Sequence, residues 1–260
     1  MAESGFGGAR FEIGAVISRA FETIGSNILL FCGLALVLAG IPQFLFEFWR
    51  VTNFTLAYNG MDPSYYLSPS YLGMSGATWL VSIVTGAILQ ASLTRATVMH
   101  LSGETPRFGQ CLAVGISMIL PMIAIGLLAG IGVGIAMLFL IVPGIILWLV
   151  WAVVTPAYVQ EKVGIFEAFG RSAALTSGAR WRIFLTMLVV LVLLWVLSIP
   201  VGFLTMAMMA TGNAFLIALV TGALSALSSM ILVATQASIY VELRQLKEGV
   251  APSDLEAIFA

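Results

Sequence analysis

The chain has 260 residues, of which 60% are hydrophobic and 9% charged, and its formal net charge is −1. Its mean hydropathy is +1.07. Soluble domains carry about a quarter charged residues, so this composition excludes a soluble globular fold and points to an integral membrane protein.

Taken from the N-terminus, the first apolar run begins near Ile28, after Glu3, Arg10, Glu12, Arg19 and Glu22. It is long enough to span and is expected to be retained as a transmembrane helix, not cleaved as a signal. Before it, "FEIGAVISRAFETIGSN" sets Ile13, Ile17, Ala20, Phe21 and Ile24 on one helical face and Glu12, Arg19 and Glu22 on another. This pattern predicts an amphipathic interfacial helix over 10–26.

Charged side chains mark the ends of spans, because an ionisable group at the bilayer centre costs several kcal/mol. Four stretches hold no Asp, Glu, Lys, Arg or His: Thr23–Phe46, Pro63–Thr94, Phe108–Gln160 and Ile183–Val241. A helix crosses the hydrocarbon core in about 20 residues, so the first two stretches hold one span each. As one helix, Phe108–Gln160 would extend about 80 Å, so it must turn back. The Pro143-Gly144 pair in "IVPGII" is the expected turn, and "ATGNA" at Ala210–Ala214 is the turn in the last stretch. The reading is all-α: a single polytopic membrane domain over 1–260. Its six transmembrane helices lie near 28–47, 72–94, 112–140, 143–160, 182–208 and 214–241, and a short tail covers 242–260.

With six spans, one side receives both termini and the connections at 95–111 and 161–181. That side holds all of the 11 Lys and Arg except Arg50. Positive residues stay inside, so both termini are expected in the cytoplasm. Tyr58, Tyr65, Tyr66 and Tyr71, in or beside the opposite loop, fit an interfacial aromatic belt.

The most polar stretch between long apolar runs is "GRSAALTSGARWR" at 170–182. Ile165, Phe166, Phe169 and Ala173 recur on one face, with Glu167 and Arg171 four apart on another, predicting a second cytoplasmic interfacial helix over 164–177. Arg180, Trp181 and Arg182 then fall at head-group depth. The two surface elements suggest duplication: Phe11-Glu12 matches Phe166-Glu167, and Ile41-Pro42 matches Ile199-Pro200. "VTGA" recurs at Val84–Ala87 and Val220–Ala223, and "QAS" at Gln90–Ser92 and Gln236–Ser238. A weaker third copy starts at "PRFGQCLAVG", Pro106–Gly115. The expected architecture is therefore three parallel units, each a surface helix followed by an out-and-back hairpin.

One stretch, Val142–Phe184, carries Pro143, Gly144, Pro156, Glu161, Ala168, Arg171, Ser172, Leu175, Thr176, Gly178 and Trp181 in a recognisable order. It resembles the YciC-like bacterial inner-membrane family and the membrane domain fused to some glycerophosphoryl diester phosphodiesterases. The resemblance extends to "F-x-I-G-x-V-I-x-R-A-F" at Phe11–Phe21. It implies six helices in the bacterial inner membrane and little biochemistry. No soluble segment is long enough to be a phosphodiesterase domain, so that activity is not carried over.

The chemistry available is narrow. No ionisable residue lies mid-span, which disfavours ion-coupled transport and proton relays. His100 is the lone histidine, and Cys32 and Cys111 lack metal or redox spacing, so no metal site, cofactor or catalytic residue is expected. Small residues in spans two, three and six read as helix-packing positions. The expected function is non-enzymatic, membrane-organising or lipid-interacting, with Arg171, Arg180, Trp181 and Arg182 as head-group contacts. Membrane lipids are the expected partners, with membrane proteins or a second copy beside them, and nucleic acid is not. The alternative is a transporter or facilitator for a neutral or lipid-like solute, through a cavity lined by Gln90, Gln236 and the span-six serines.

Overall fold

The computed structural model describes residues 11–55 and 66–249. The first ten residues, the tail beyond 249, and Tyr58 and Tyr65 of the expected aromatic belt lie outside the described residues. Those described contain no strand, and the fold is all-α. The elements are α1 (Ile13–Ser26), α2 (Ile28–Ala35), a π-helical segment (Leu36–Gly40), α3 (Ile41–Arg50), a second π-helical segment (Val51–Thr55), α4 (Pro69–Leu101) and α5 (Phe108–Ser117). There follow α6 (Ile119–Phe139), α7 (Ile141–Val150), α8 (Val154–Glu161), α9 (Ile165–Thr176), α10 (Arg180–Ala210) and α11 (Ala214–Glu248). Six segments are long and apolar enough to cross a membrane: Ile28–Asn53, Pro69–Leu101, Ile119–Phe139, Ile141–Glu161, Arg180–Ala210 and Ala214–Glu248.

Prolines explain most of the irregularities, since each lacks the N–H that the carbonyl four residues earlier would accept. The π-helical segment precedes Pro42, α5 ends at Ser117 ahead of Pro121, and the fourth span breaks at Trp151–Val153 ahead of Pro156. The break before Pro121 separates α5 from α6, so the expected span over 112–140 is in fact a short helix followed by a span.

Two expectations are corrected. The turn between α6 and α7 is at Leu140, which is extended (φ −159°, ψ 138°), and not at Pro143-Gly144. Pro143 sits in the first turn of α7, where amide groups need no intrahelical partner. Gly144 serves close packing: a Cβ there would lie 2.1 Å from Met137 Cγ. The expected tail from 242 is also helical through Glu248, with Glu242, Leu243 and Arg244 buried, and Gly249 (φ +65°) ends the helix.

The units pack cyclically. The short helix and first span of each unit rest on the second span of the unit before it: α1, α2 and α3 on α11, α5 and α6 on α4, and α9 and α10 on α8 and α7. The third unit thereby closes on the first. The second spans, α4, α8 and α11, touch one another inside this ring. Burial concentrates toward the end carrying α1, α5 and α9, where neither α4 from Ala87 to Met99 nor α11 from Met230 to Arg244 has an exposed residue. Toward the other end the side chains facing outward, such as Leu138, Phe139 and Phe203, are exposed and apolar, as hydrocarbon contact requires.

The α1 and α9 helices are less exposed at their small-residue faces than a helix lying flat on lipid would be. In α9 the buried stripe is Ala168, Ser172, Leu175 and Thr176, while Phe166 is 79% exposed. Of the predicted apolar face, Ile165 and Phe169 pack against the bundle, with Phe169 in a T-shaped contact with Trp151, Ala173 is half-buried, and Phe166 alone points outward.

Candidate functional site

At the centre of the ring, one residue from each second span meets its counterparts. Gln90 Nε2 of α4 donates to Thr155 Oγ1 of α8 (3.2 Å) and to Gln236 Oε1 of α11 (3.3 Å). "QAS" at 90 and "QAS" at 236 are therefore structural equivalents, and "TPA" at 155 is the third copy. "VTGA" is not: Gly222 lies against the Gly40 carbonyl, where a Cβ would come within 2.7 Å, whereas a Cβ at Gly86 meets nothing. The two motifs are also spaced differently in the two spans, so both could not be equivalent.

Six residues beyond Thr155 and Gln236 come Glu161 and Glu242, and each receives an arginine from the short helix packed upon it. Arg19 Nη1 of α1 reaches Glu242 Oε2 at 2.5 Å, and Arg171 Nε of α9 reaches Glu161 Oε2 at 2.6 Å. The same step from Gln90 lands on Ala96, which is buried and carries no charge. There α5 approaches through Gly115, where a Cβ would lie 2.2 Å from Ser92 Oγ. Two interfaces are thus closed by ion pairs and one by contact of small residues.

Around Glu161 the polar network widens. Tyr240 Oη donates to Glu161 Oε1 (2.8 Å), Arg244 Nε donates to Glu248 Oε2 (2.9 Å), and Arg171 pairs with Glu248 as well. Burial opposes the Arg171 charge, but its hydrogen bonds to Glu161 and Glu248 outweigh this and hold its pKa above the ordinary value. Each member of the Arg171–Glu161 pair keeps a second partner if the other is removed, so breaking the pair from one side costs what a charged hydrogen bond contributes, about 1.5–3 kcal/mol.

The remaining motif residues splice the broken fourth span. Ser172 Oγ donates to the Val150 carbonyl (2.8 Å) and accepts from Val153 N (3.3 Å), and Thr176 Oγ1 donates to the same carbonyl (3.3 Å). These bonds satisfy the Val150 carbonyl and the Val153 amide, two backbone groups at the break over Trp151–Val153. Gly178 (φ +79°) then turns the chain from α9 into α10.

Comparison with protein-family models gives no match, and comparison with curated proteins and with solved structures gives none either. The fold and the site stand on their own geometry.

Of the four expected head-group contacts, the structure separates one from the rest. Arg171 is engaged by two carboxylates and is a clamp between α9, α8 and α11. Arg182 lies near Phe11, donating to its carbonyl (3.3 Å). Trp181 is 68% exposed and stacks on Phe184, with exposed Arg180 before it. Arg180 forms no ion pair with another described residue. His100 Nδ1 lies 3.1 Å from Asn27 Nδ2, tying α4 to the junction of α1 and α2.

Sequence reasoning missed a second polar position. Arg95 of α4 donates to Gln160 Oε1 (3.1 Å), and Gln160 is only 1% exposed. Arginine only donates, so the amide oxygen must face it and Nε2 faces away. That nitrogen is buried without a partner among the described residues, at a cost of about 1–3 kcal/mol. Arg95, Val114, Met118, Val159, Gln160 and Lys162 line a cavity of about 230 Å³ there. Nearer mid-membrane, α4 and α6 flank an apolar groove of about 510 Å³ running from Trp79 to Gln90. It is not the cavity expected from sequence, because neither Gln236 nor the span-six serines line it.

Proposed function

We propose that this chain is a non-enzymatic, multi-pass protein of the bacterial inner membrane, with both termini cytoplasmic, that binds anionic lipid and organises the membrane around it. The observation that carries this reading is the exposed Arg180–Trp181 pair at the start of α10, beside Arg182. An indole favours the head-group layer, and each nearby cation contributes about 1 kcal/mol toward anionic lipid. Arg171 takes no part, because its charge is already matched. Membership of the YciC-like family belongs to the same proposal. It is supported by the coherence of its motif residues: Glu161, Arg171, Ser172 and Thr176 join α9 to the broken fourth span, and Gly178 turns the chain into α10.

The test is the lipid retained by the purified protein. Replacing Arg180 and Arg182 together with Gln is expected to lower retention of phosphatidylglycerol, relative to phosphatidylcholine, by about fivefold per arginine. Unchanged retention in a folded variant contradicts the reading.

The second reading, passage of a neutral or lipid-like solute, is favoured by the groove between α4 and α6. The hydrogen-bonded meeting of Gln90, Thr155 and Gln236 opposes a water-filled path through the middle of the ring. Flux of a neutral solute into vesicles, lost on filling the groove with Gly126→Leu, would favour transport over lipid organisation.

A further inference from the structure

We propose that Arg95, Gln160 and Lys162 form a cradle for one phosphate-type oxyanion, supplied by the head group of an anionic phospholipid whose chain lies toward the groove between α4 and α6. This deepens the lipid-binding reading and rests on it, but it names a different place: the inner angle between α4, α5, α6 and α8, not the outer rim at Arg180.

Three independent observations converge on it. Gln160 lines the cavity, and its amide Nε2, buried in the same side chain, has no acceptor among the described residues. An acceptor is what that position lacks, and a phosphate oxygen is one. Beside it stand Arg95 and Lys162, the two cations that line the cavity, and neither forms an ion pair with a described carboxylate. Lys162, whose left-handed backbone (φ 51°) ends α8, is also part of the cavity lining. An arginine fork, an amide donor and a mobile ammonium together match an anion with several oxygens.

The rest of the lining selects the source. Val114, Met118 and Val159 give the cradle an apolar wall, poorly suited to a fully hydrated ion and well suited to glycerol and ester carbons. The cavity is several times the roughly 30 Å³ that a water occupies in the liquid. About two helical turns from Arg95 along α4, and one turn past Met118, Ala87 and Met122 line the groove between α4 and α6. A head group seated at Arg95 would thus leave its chain next to a lipid-facing apolar slot.

The full-length protein in detergent tests this with two probes: phosphatidylglycerol against phosphatidylcholine, counted by native mass spectrometry, and inorganic phosphate, followed by calorimetry. The wild type is expected to hold one phosphatidylglycerol at least tenfold more tightly than phosphatidylcholine. Lys162→Gln, which alters an exposed side chain, is expected to weaken it several-fold. Arg95→Gln and Gln160→Met should abolish the preference, and Arg95→Lys should restore part of it. Binding of inorganic phosphate without preference for phosphatidylglycerol would keep the oxyanion site and overturn the lipid source. An unchanged preference in Lys162→Gln and in folded Arg95→Gln would overturn the cradle. If Arg180→Gln/Arg182→Gln alone removes the preference, the rim reading survives and the cradle fails. If the wild type shows no preference and no phosphate binding, both fail.

Discussion

At the residue scale, Arg19 and Arg171 carry more of the account than their number suggests. Each leaves a short helix to meet a glutamate at the same step along a second span, Glu242 in one case and Glu161 in the other. A double-mutant cycle on Glu161→Gln and Arg171→Gln is expected to show destabilisation of about 1.5–3 kcal/mol for either single change. The double variant should cost distinctly less than the sum, measured by thermal or denaturant unfolding in detergent. Simple additivity would mean that the pair is a surface contact without coupling. The sequence made the positive charge near 171 conspicuous but assigned it to lipid, because an arginine's partner is set by which helix lands beside it. Glu161 was visible as a motif residue, but Glu248 lay in what read as a tail. Arg95 and Gln160 were hidden for a related reason: each is ordinary for a span end, and only their meeting across α4 and α8 makes a site.

At the element scale, hydropathy and charge spacing told where the spans are, while prolines and glycines decided how each is broken and joined. Six spans were legible because ionic side chains avoid hydrocarbon. The separation of α5 from α6 was not, since it depends on Pro121 removing one hydrogen bond within an unbroken apolar run. Pro143-Gly144 misled in the other direction: the pair has turn composition, yet Gly144 is needed for the approach of α7 to Met137 on α6. Gly144→Ala is therefore expected to destabilise the hairpin by about 1–3 kcal/mol. Gly130→Ala in the same hairpin, where a Cβ would meet nothing within 4 Å, should be neutral or slightly stabilising, as alanine favours helix over glycine. Equal effects in unfolding measurements would remove the distinction between packing glycines and open ones.

At the scale of the whole molecule, three hairpins form a ring in which the last unit holds the first. The duplication was readable in "QAS", whose two glutamines meet at the centre, where Gln90 also reaches Thr155, but the match of Phe11-Glu12 to Phe166-Glu167 does not survive. Phe11 is buried and Phe166 exposed, and the positions that correspond are Arg19 and Arg171. Short apolar matches carry little information in a membrane sequence, whereas equivalent contacts across a closed ring do. Closure is tested most directly between the first span and the last. A Cβ at Gly40 would lie 3.4 Å from the Cβ of Ala226, close to disulfide spacing. In a background with Cys32 and Cys111 replaced by Ala, oxidised Gly40→Cys/Ala226→Cys should form an intrachain disulfide in the membrane, while Gly40→Cys paired with Leu204→Cys on α10 should not. Absence of the first disulfide, or equal formation of both, would contradict the ring.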